Sequence, residues 1–216
     1  MAGLPVFLKL EDKKVAVIGG GSVASRKIGS LAGTGAEIVV ISPKIGAKLE
    51  EMVDAGMLKW RQKNYEYGDL KGFWLVIAAT SESRVNYRVY EEAKEVTQLY
   101  NIADRPDLSS FYTTAQVKQG DLQIGISTGG KAPALSAEIG RELADRFGDS
   151  FKEYLEFAGE VREWLLENEE PEIRREVLRE MASPEILDGL MAGNLEEVFK
   201  ILEKTIPERF YNERAL

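Results

Sequence analysis

The chain has 216 residues, 28 of them Lys or Arg and 36 Asp or Glu, for a formal net charge of −8. That length and 44% hydrophobic residues suit a globular protein of one large domain or two small ones. With no His and no Cys, triads of the Ser-His-Asp kind, HExxH zinc sites, histidine-ligated haem, disulfides, thiolate nucleophiles and iron–sulfur clusters are all excluded. Acid–base chemistry is left to Asp, Glu, Lys, Tyr and the backbone.

The opening MAGLPVFLKLEDKK has no apolar core of the signal-peptide kind. The longest apolar runs, such as FWLVIAAT, reach eight residues, against the roughly 20 that span a bilayer. The expectation is a soluble, cytoplasmic protein without a membrane partner. Lys14–Ile18 (KVAVI) is a β-branched run ending in three glycines, which reads as a buried strand entering a tight turn. A helix is expected from Ser22 to about Ala32, closed by Gly33 and Gly35. Glu37–Ile41 (EIVVI) is the next strand, stopped at Ser42-Pro43. A helix over about Lys44–Ala55 and a short strand at Leu58–Gln62 follow. Phe73–Ala79 is a near-continuous apolar strand, as in a sheet covered on both faces. Ser83–Val96 is helical, and Leu99–Ala103 is the next strand. This alternation predicts a parallel, doubly wound α/β sheet over the first 105 or so residues.

Beyond it the pattern changes. Tyr112–Lys118 and Leu122–Ser127 read as two strands turned at Gly120-Asp121, and Pro133–Phe147 as a helix. Helical segments follow near 151–168, 171–182, 184–191 and 194–205, broken at Pro171, Pro184 and Gly193. Residues 1–150 carry 19 basic and 19 acidic side chains, whereas 151–216 carry 9 and 17. The tail therefore holds the whole net charge, which argues against a nucleic-acid partner. Its plain explanation is a solvated helical face.

Gly19-Gly20-Gly21-Ser22-Val23-Ala24 matches GxGxxG/A directly after a strand and at the start of a helix. Gly19 permits the turn, Gly21 lets the backbone approach a pyrophosphate, and Ala24 is small enough for close helix–strand packing. The helix start then offers N–H groups to the phosphates. The acid that often follows the second strand and grips a ribose is missing, since the chain reads Val39-Val40-Ile41-Ser42-Pro43-Lys44. Ser42 can bond a ribose hydroxyl and Lys44 can accommodate a 2′-phosphate, so the chemistry leaves NAD and NADP both open. Tyr90 and Lys94 have the Tyr-x-x-x-Lys spacing of short-chain dehydrogenases, but they fall in the helix between the fourth and fifth strands, too early for that role. They read as an exposed helix face.

Four blocks in order make the chain more specific: LPVFLKLEDKKVAVIGGGSVASRK, VIAAT with Asn86 shortly after, NIADRPDLSSF and LQIGISTGGKAPALS. Together they resemble the precorrin-2 dehydrogenase/sirohydrochlorin ferrochelatase family, the siroheme-synthase module, densely over residues 4–147. The resemblance implies a Rossmann domain (1–112), a small α+β dimerisation region (113–149) and a helical C-terminal domain (150–216), working as a homodimer. It implies oxidation of precorrin-2 to sirohydrochlorin with NAD as hydride acceptor, in siroheme biosynthesis. In bifunctional members ferrous iron is then inserted. Carried over by position, the NAD contacts fall on Gly19, Gly21, Ser22, Val23, Ser42, Pro43, Lys44, Thr80 and Ser81, and the essential aspartate on Asp104. Thr128 takes the place of a serine that is sometimes phosphorylated. Where many members have Cys-Asp-Phe this chain has Ser109-Ser110-Phe111, and some relatives lack chelatase activity, so iron insertion stays open.

Asp104 follows the fifth strand, on the edge where doubly wound sheets bind ligands, and a carboxylate can take the proton that dehydrogenation releases. Its plain alternative is a cap of the turn before Arg105-Pro106. Arg26, Lys27, Arg105, Lys118 and Lys131 lie in or beside the motif blocks and could bind the carboxylates of a tetrapyrrole. No dedicated metal cage is visible. The competing readings are a non-catalytic Rossmann nucleotide-sensing module and a module that only binds tetrapyrrole. The first gives no reason for NIADRPD or STGGKAP, and Asp104 with the intact glycine turn argues against the second.

Overall fold

The computed structural model describes residues 3–214. It divides into two compact units, one formed by Val6–Thr113 and the other by Thr114 onwards with residues 3–5.

In the first unit the order is β1 (Lys14–Ile18), α1 (Ser22–Gly29), β2 (Glu37–Ile41), α2 (Ala47–Asp54), β3 (Lys59–Arg61), β4 (Leu75–Ala78), α3 (Ser83–Val96) and β5 (Leu99–Ile102). One 3-10 turn, Pro106–Leu108, follows. The strands pair in parallel in the order β3-β2-β1-β4-β5. The doubly wound α/β sheet read from the alternating pattern is thus present. Side chains of β1 alternate between the two faces. Val15 and Val17 join Ile28 of α1 and Leu49 of α2 in one core. Ala16 and Ile18 join Val89 and Ala93 of α3 with Tyr65, Leu70 and Phe73 in the other. Burial on both faces is why these strands are apolar runs rather than alternating ones.

The chain crosses from β3 to β4 on the far side of β1, so strand order reverses between β1 and β4. The crevice at the carboxyl ends of these two strands is where an open α/β sheet takes a ligand. The elements differ from their expected lengths where loops intervene. α2 begins at Ala47 rather than Lys44, because Ser42–Gly46 form a turn in which the Ser42 hydroxyl donates to the Lys44 carbonyl at 2.7 Å. β3 keeps only three residues of the expected five.

β5 is the last strand of the sheet, and the returning chain covers its open side. The Ser110 N–H donates to the Tyr100 carbonyl, and the Ser110 hydroxyl accepts from the Tyr100 N–H. The Ser109 hydroxyl accepts from the Ile102 N–H at 2.9 Å, and Asn101 donates to the Phe111 carbonyl at 3.0 Å. A bare edge would leave these groups unpaired.

The second unit opens with the antiparallel pair β6 (Ala115–Gln119) and β7 (Leu122–Ile126), joined by Gly120 at φ +58° and Asp121. Helices α4 (Pro133–Arg146), α5 (Ser150–Asn168), α6 (Pro171–Glu180), α7 (Pro184–Met191), α8 (Leu195–Leu202) and α9 (Glu208–Arg214) complete it. α5 to α9 share a core around Val161, Leu165, Ile186, Val198 and Leu202. Ser183 and Asn194 cap α7 and α8 by accepting from Ile186 and Glu197 N–H groups. α9 is an element that the helical breaks at Pro and Gly do not announce. It is anchored by buried Phe210 against Trp164 and Phe157. Among the described residues no helix is long and apolar enough to cross a membrane.

Candidate dinucleotide site and its carboxylate

The three glycines after β1 are there for different reasons. Gly19 has φ +117°, and a Cβ there would stand 2.8 Å from the Ala79 carbonyl carbon and closer still to its oxygen. Gly20 occupies the motif position that tolerates any residue, yet a Cβ there would meet the Lys44 carbonyl oxygen and come within 2.9 Å of Ile45 Cα. At Gly21 a Cβ would meet nothing within 4 Å. The first two glycines let three loops close together; the third faces open space.

Gly21 is the N-cap of α1 and Gly46 the N-cap of α2, and neither helix start has a side-chain cap. The Gly46 N–H donates to the Gly20 carbonyl at 3.1 Å, which ties the two starts together. Between them lies a cleft of about 310 Å³, lined among others by Gly21, Ser22, Ser25, Gly46, Ala47 and Lys48. Uncapped N–H groups from two helices in one cleft suit phosphate oxygens, through partial positive charge and unused donors. The residues present therefore fit a dinucleotide. Val23 sits exposed on the first turn of α1. Ser42 is buried and its hydroxyl proton goes to Lys44, so toward a ribose it offers only acceptor lone pairs. Pro43 and Lys44 are exposed.

On the other side of the crevice, the loop after β4 carries Thr80 and Ser81, and the loop after β5 carries Asp104. Asn86, on α3 and 1% exposed, lies between them. It accepts from the Thr80 N–H (3.1 Å) and hydroxyl (2.8 Å) and donates to the Thr80 carbonyl (3.1 Å) and to Asp104 Oδ1 (2.8 Å). Asp104 itself is exposed. Partial burial pushes its pKa up, but hydrogen bonds from Ser83, Asn86 and its own backbone, with the Arg105 charge, outweigh that and hold it below the ordinary aspartate value. It is an ionised carboxylate at neutral pH, available to accept a proton.

The basic candidates divide. Arg26 is exposed on α1. Lys27 is half-buried and donates to the Thr113 hydroxyl at 2.7 Å; burial and then the Arg26 charge lower its pKa. Arg105 makes a two-pronged ion pair with Asp107, at 2.9 and 2.6 Å. Lys118 and Lys131 are exposed and belong to the second unit. There Thr128 holds the start of α4, accepting from the Ala132 N–H and the Ser136 hydroxyl, both at 3.1 Å. Of the Tyr90–Lys94 pair, expected as an exposed helix face, only Lys94 is exposed, bound to Glu91 and lying over the Tyr90 ring. Tyr90 is half-buried, packed on the core beneath α3 and edge-on to Tyr100. Its neighbour Glu92 is instead buried, accepting from Tyr65 at 2.5 Å and from the Leu70 N–H at 2.8 Å. Among the described residues no group of three carboxylates is gathered as a metal site. The steric need for Gly20 and the bridging role of Asn86 are not readable from the motif, because both depend on loops that meet only in the fold.

Parallel strand order, reversal at β1/β4 and an open glycine turn define a dinucleotide-binding α/β protein. Residues 6–115 match the family described as "Putative NAD(P)-binding", and residues 119–146 match "Sirohaem biosynthesis protein central". The chain is 35% identical over 160 residues to "Siroheme synthase 3" of Aeromonas hydrophila, covering 74% of this chain and 34% of that protein. It is 30% identical over 216 residues to the siroheme synthase of Nitrosococcus oceani, covering 100% of this chain and 46% of the relative. Among solved structures, "SirC, precorrin-2 dehydrogenase" superposes with a TM-score of 0.76 at 27% identity, covering 94% of this chain and 100% of that one. The chain belongs to the siroheme-synthase family, through its NAD(P)-binding and central parts. It spans between a third and a half of the length of these two siroheme synthases. The family match and the structural neighbour support NAD as the cofactor.

Proposed function

We propose that the protein oxidises precorrin-2 to sirohydrochlorin with NAD, in siroheme biosynthesis. The observation that carries this is Asp104. It is an ionised carboxylate at the carboxyl end of β5, tied through Asn86 to the loop that follows β4. The family membership and the likeness to a precorrin-2 dehydrogenase support the substrate.

Bound NAD supplies the hydride acceptor. Gly19, Gly21, Ser22 and Val23 hold its phosphates at the start of α1, with Ser42, Pro43 and Lys44 toward the adenosine end and Thr80 and Ser81 toward the nicotinamide end. Asp104 takes the proton released from the macrocycle as the carbon–hydrogen bond gives up its hydride, so one hydride and one proton leave together. Arg26 and Lys27 attract substrate carboxylates; Arg105 joins them only by exchanging its Asp107 partner. Residues 113–149 serve as the dimerisation region of a homodimer and 150–216 as the helical domain.

The test is an anaerobic assay with precorrin-2 and NAD, followed by absorbance, then ferrous iron. NADH formation with a sirohydrochlorin spectrum supports the reading. Faster conversion on adding iron than in the enzyme-free control adds ferrochelatase activity, while a spectrum unchanged by the enzyme assigns dehydrogenation alone. No NADH at any pH overturns the enzyme reading in favour of a nucleotide-sensing or tetrapyrrole-binding module.

A further inference from the structure

The geometry points to Asn86 as a positioning residue that orients the Asp104 carboxylate and sets it in register with the Thr80 loop. This rests on the reading of Asp104 as the base.

A carboxamide has two N–H donors and two acceptor lone pairs, and Asn86 uses all four. Three of the bonds go to Thr80, from its N–H and hydroxyl and to its carbonyl. That fixes which way the amide faces. Turned over, Nδ2 would meet the Thr80 N–H and Oδ1 the Thr80 carbonyl, two repulsive pairs in a buried place. Asp104 Oδ1 therefore always meets a donor. An ionised carboxylate satisfies this donor, and so does the carbonyl oxygen of the acid, but its O–H does not. A proton taken up by Asp104 must go to the oxygen turned away from Asn86. One buried amide thus selects the oxygen that receives the proton and holds it at a set distance from the loop of Thr80.

The groups acting on Asp104 from each neighbouring element are few. α3 contributes the Asn86 amide and the Ser83 hydroxyl, and the loop after β5 contributes Arg105, itself paired with Asp107. Removing the amide donor takes away one of these supports for the charged form. Placing a carboxylate there adds a like charge, which raises the apparent pKa of such a pair by about one unit or more.

The experiment compares the full-length wild type with Asn86→Asp and Asn86→Ser. Carbon-detected NMR follows the Asp104 carboxyl titration, and kcat/KM for precorrin-2 oxidation is measured against pH. The expected result is an Asp104 titration moved up by about one unit in Asn86→Asp and in the same direction, by less, in Asn86→Ser. The acid limb of the rate profile follows, which is about tenfold in kcat/KM at a fixed pH below that limb. A merely structural Asn86 would lower the melting temperature and leave both titrations in place. Should Asn86→Asp not fold, Asn86→Ser carries the test alone. A folded Asn86→Ser with an unmoved Asp104 titration overturns the inference. The NMR readout needs no turnover, so a protein inactive on precorrin-2 would defeat the proposed function and still report on Asn86.

Discussion

Replacing Gly20 by Ala separates what the motif permits from what the fold permits. The motif leaves this position free, whereas a Cβ here would press on the Lys44 carbonyl oxygen and stand 2.9 Å from Ile45 Cα. Both obstacles are backbone, so the turn after β2 must move. Overpacking of this kind costs about 1–3 kcal/mol. The shift also strains the hydrogen bond from Gly46 to Gly20, worth about 1 kcal/mol. A loss of about 2–4 kcal/mol corresponds to a fall of roughly 8–16 °C in the melting of a domain this size. Gly21→Ala is the control, since its Cβ meets nothing within 4 Å. It should cost about 1 kcal/mol or less as a poorer N-cap, and weaken NAD about tenfold by filling the approach to the α1 start. Calorimetry and NAD titration on both variants read the difference. A Gly20→Ala protein melting within 2 °C of wild type would refute the steric reasoning.

Asp104→Ala should keep NAD affinity within about twofold and lower turnover by about 10²–10⁴, the range of a lost general base, read by stopped-flow formation of NADH. The folded pKa of Asp104 lies below its unfolded value near 3.9, so the stability it contributes is present above about pH 4 and is lost as pH falls through the folded pKa. Acid denaturation of wild type and Asp104→Asn should therefore converge at low pH; parallel curves would count against this. Tyr65→Phe leaves Glu92 with only the Leu70 N–H and should cost about 1–3 kcal/mol by urea denaturation. Burial, with the Glu92 hydrogen bond, pushes the Tyr65 phenol well above its usual value of 10, so this residue should stay un-ionised in an ultraviolet titration while the native fold holds. Its stabilising effect declines as pH rises past the unfolded value near 10. Replacing Ser109 and Ser110 together by Ala removes hydroxyl partners of the Tyr100 and Ile102 backbone. It should cost about 1–3 kcal/mol, measured by amide exchange at the β5 edge.

The parallel sheet was legible because the strands carry apolar runs at regular intervals, and β1, β2 and α3 begin and end where the sequence pattern does. Loops were less so. The start of α2 shifts because Ser42 turns its hydroxyl onto the chain two residues on, a local bond that competes with helix. α9 hides behind Pro207, and only the burial of Phe210 in the helical core marks it. The glycine turn and Asp104 could be located by spacing from strands. Asn86 could not be given a task that way, because its partners lie 6 and 18 residues away on different loops. Nor does Ser109-Ser110 read as an edge seal, since serine pairs occur in any polar loop.

The sheet stops at five strands, where the full doubly wound order has a sixth beside the fifth. The half that would support a nicotinamide is therefore one strand narrower than the half that would support an adenosine. Asp104 follows the outermost strand, whose open side is bordered by the returning Ser109–Ser110 chain rather than by another strand. For the wide, flat ring proposed as substrate, the border of the sheet beside Asp104 would be a single returning loop and not a sixth strand.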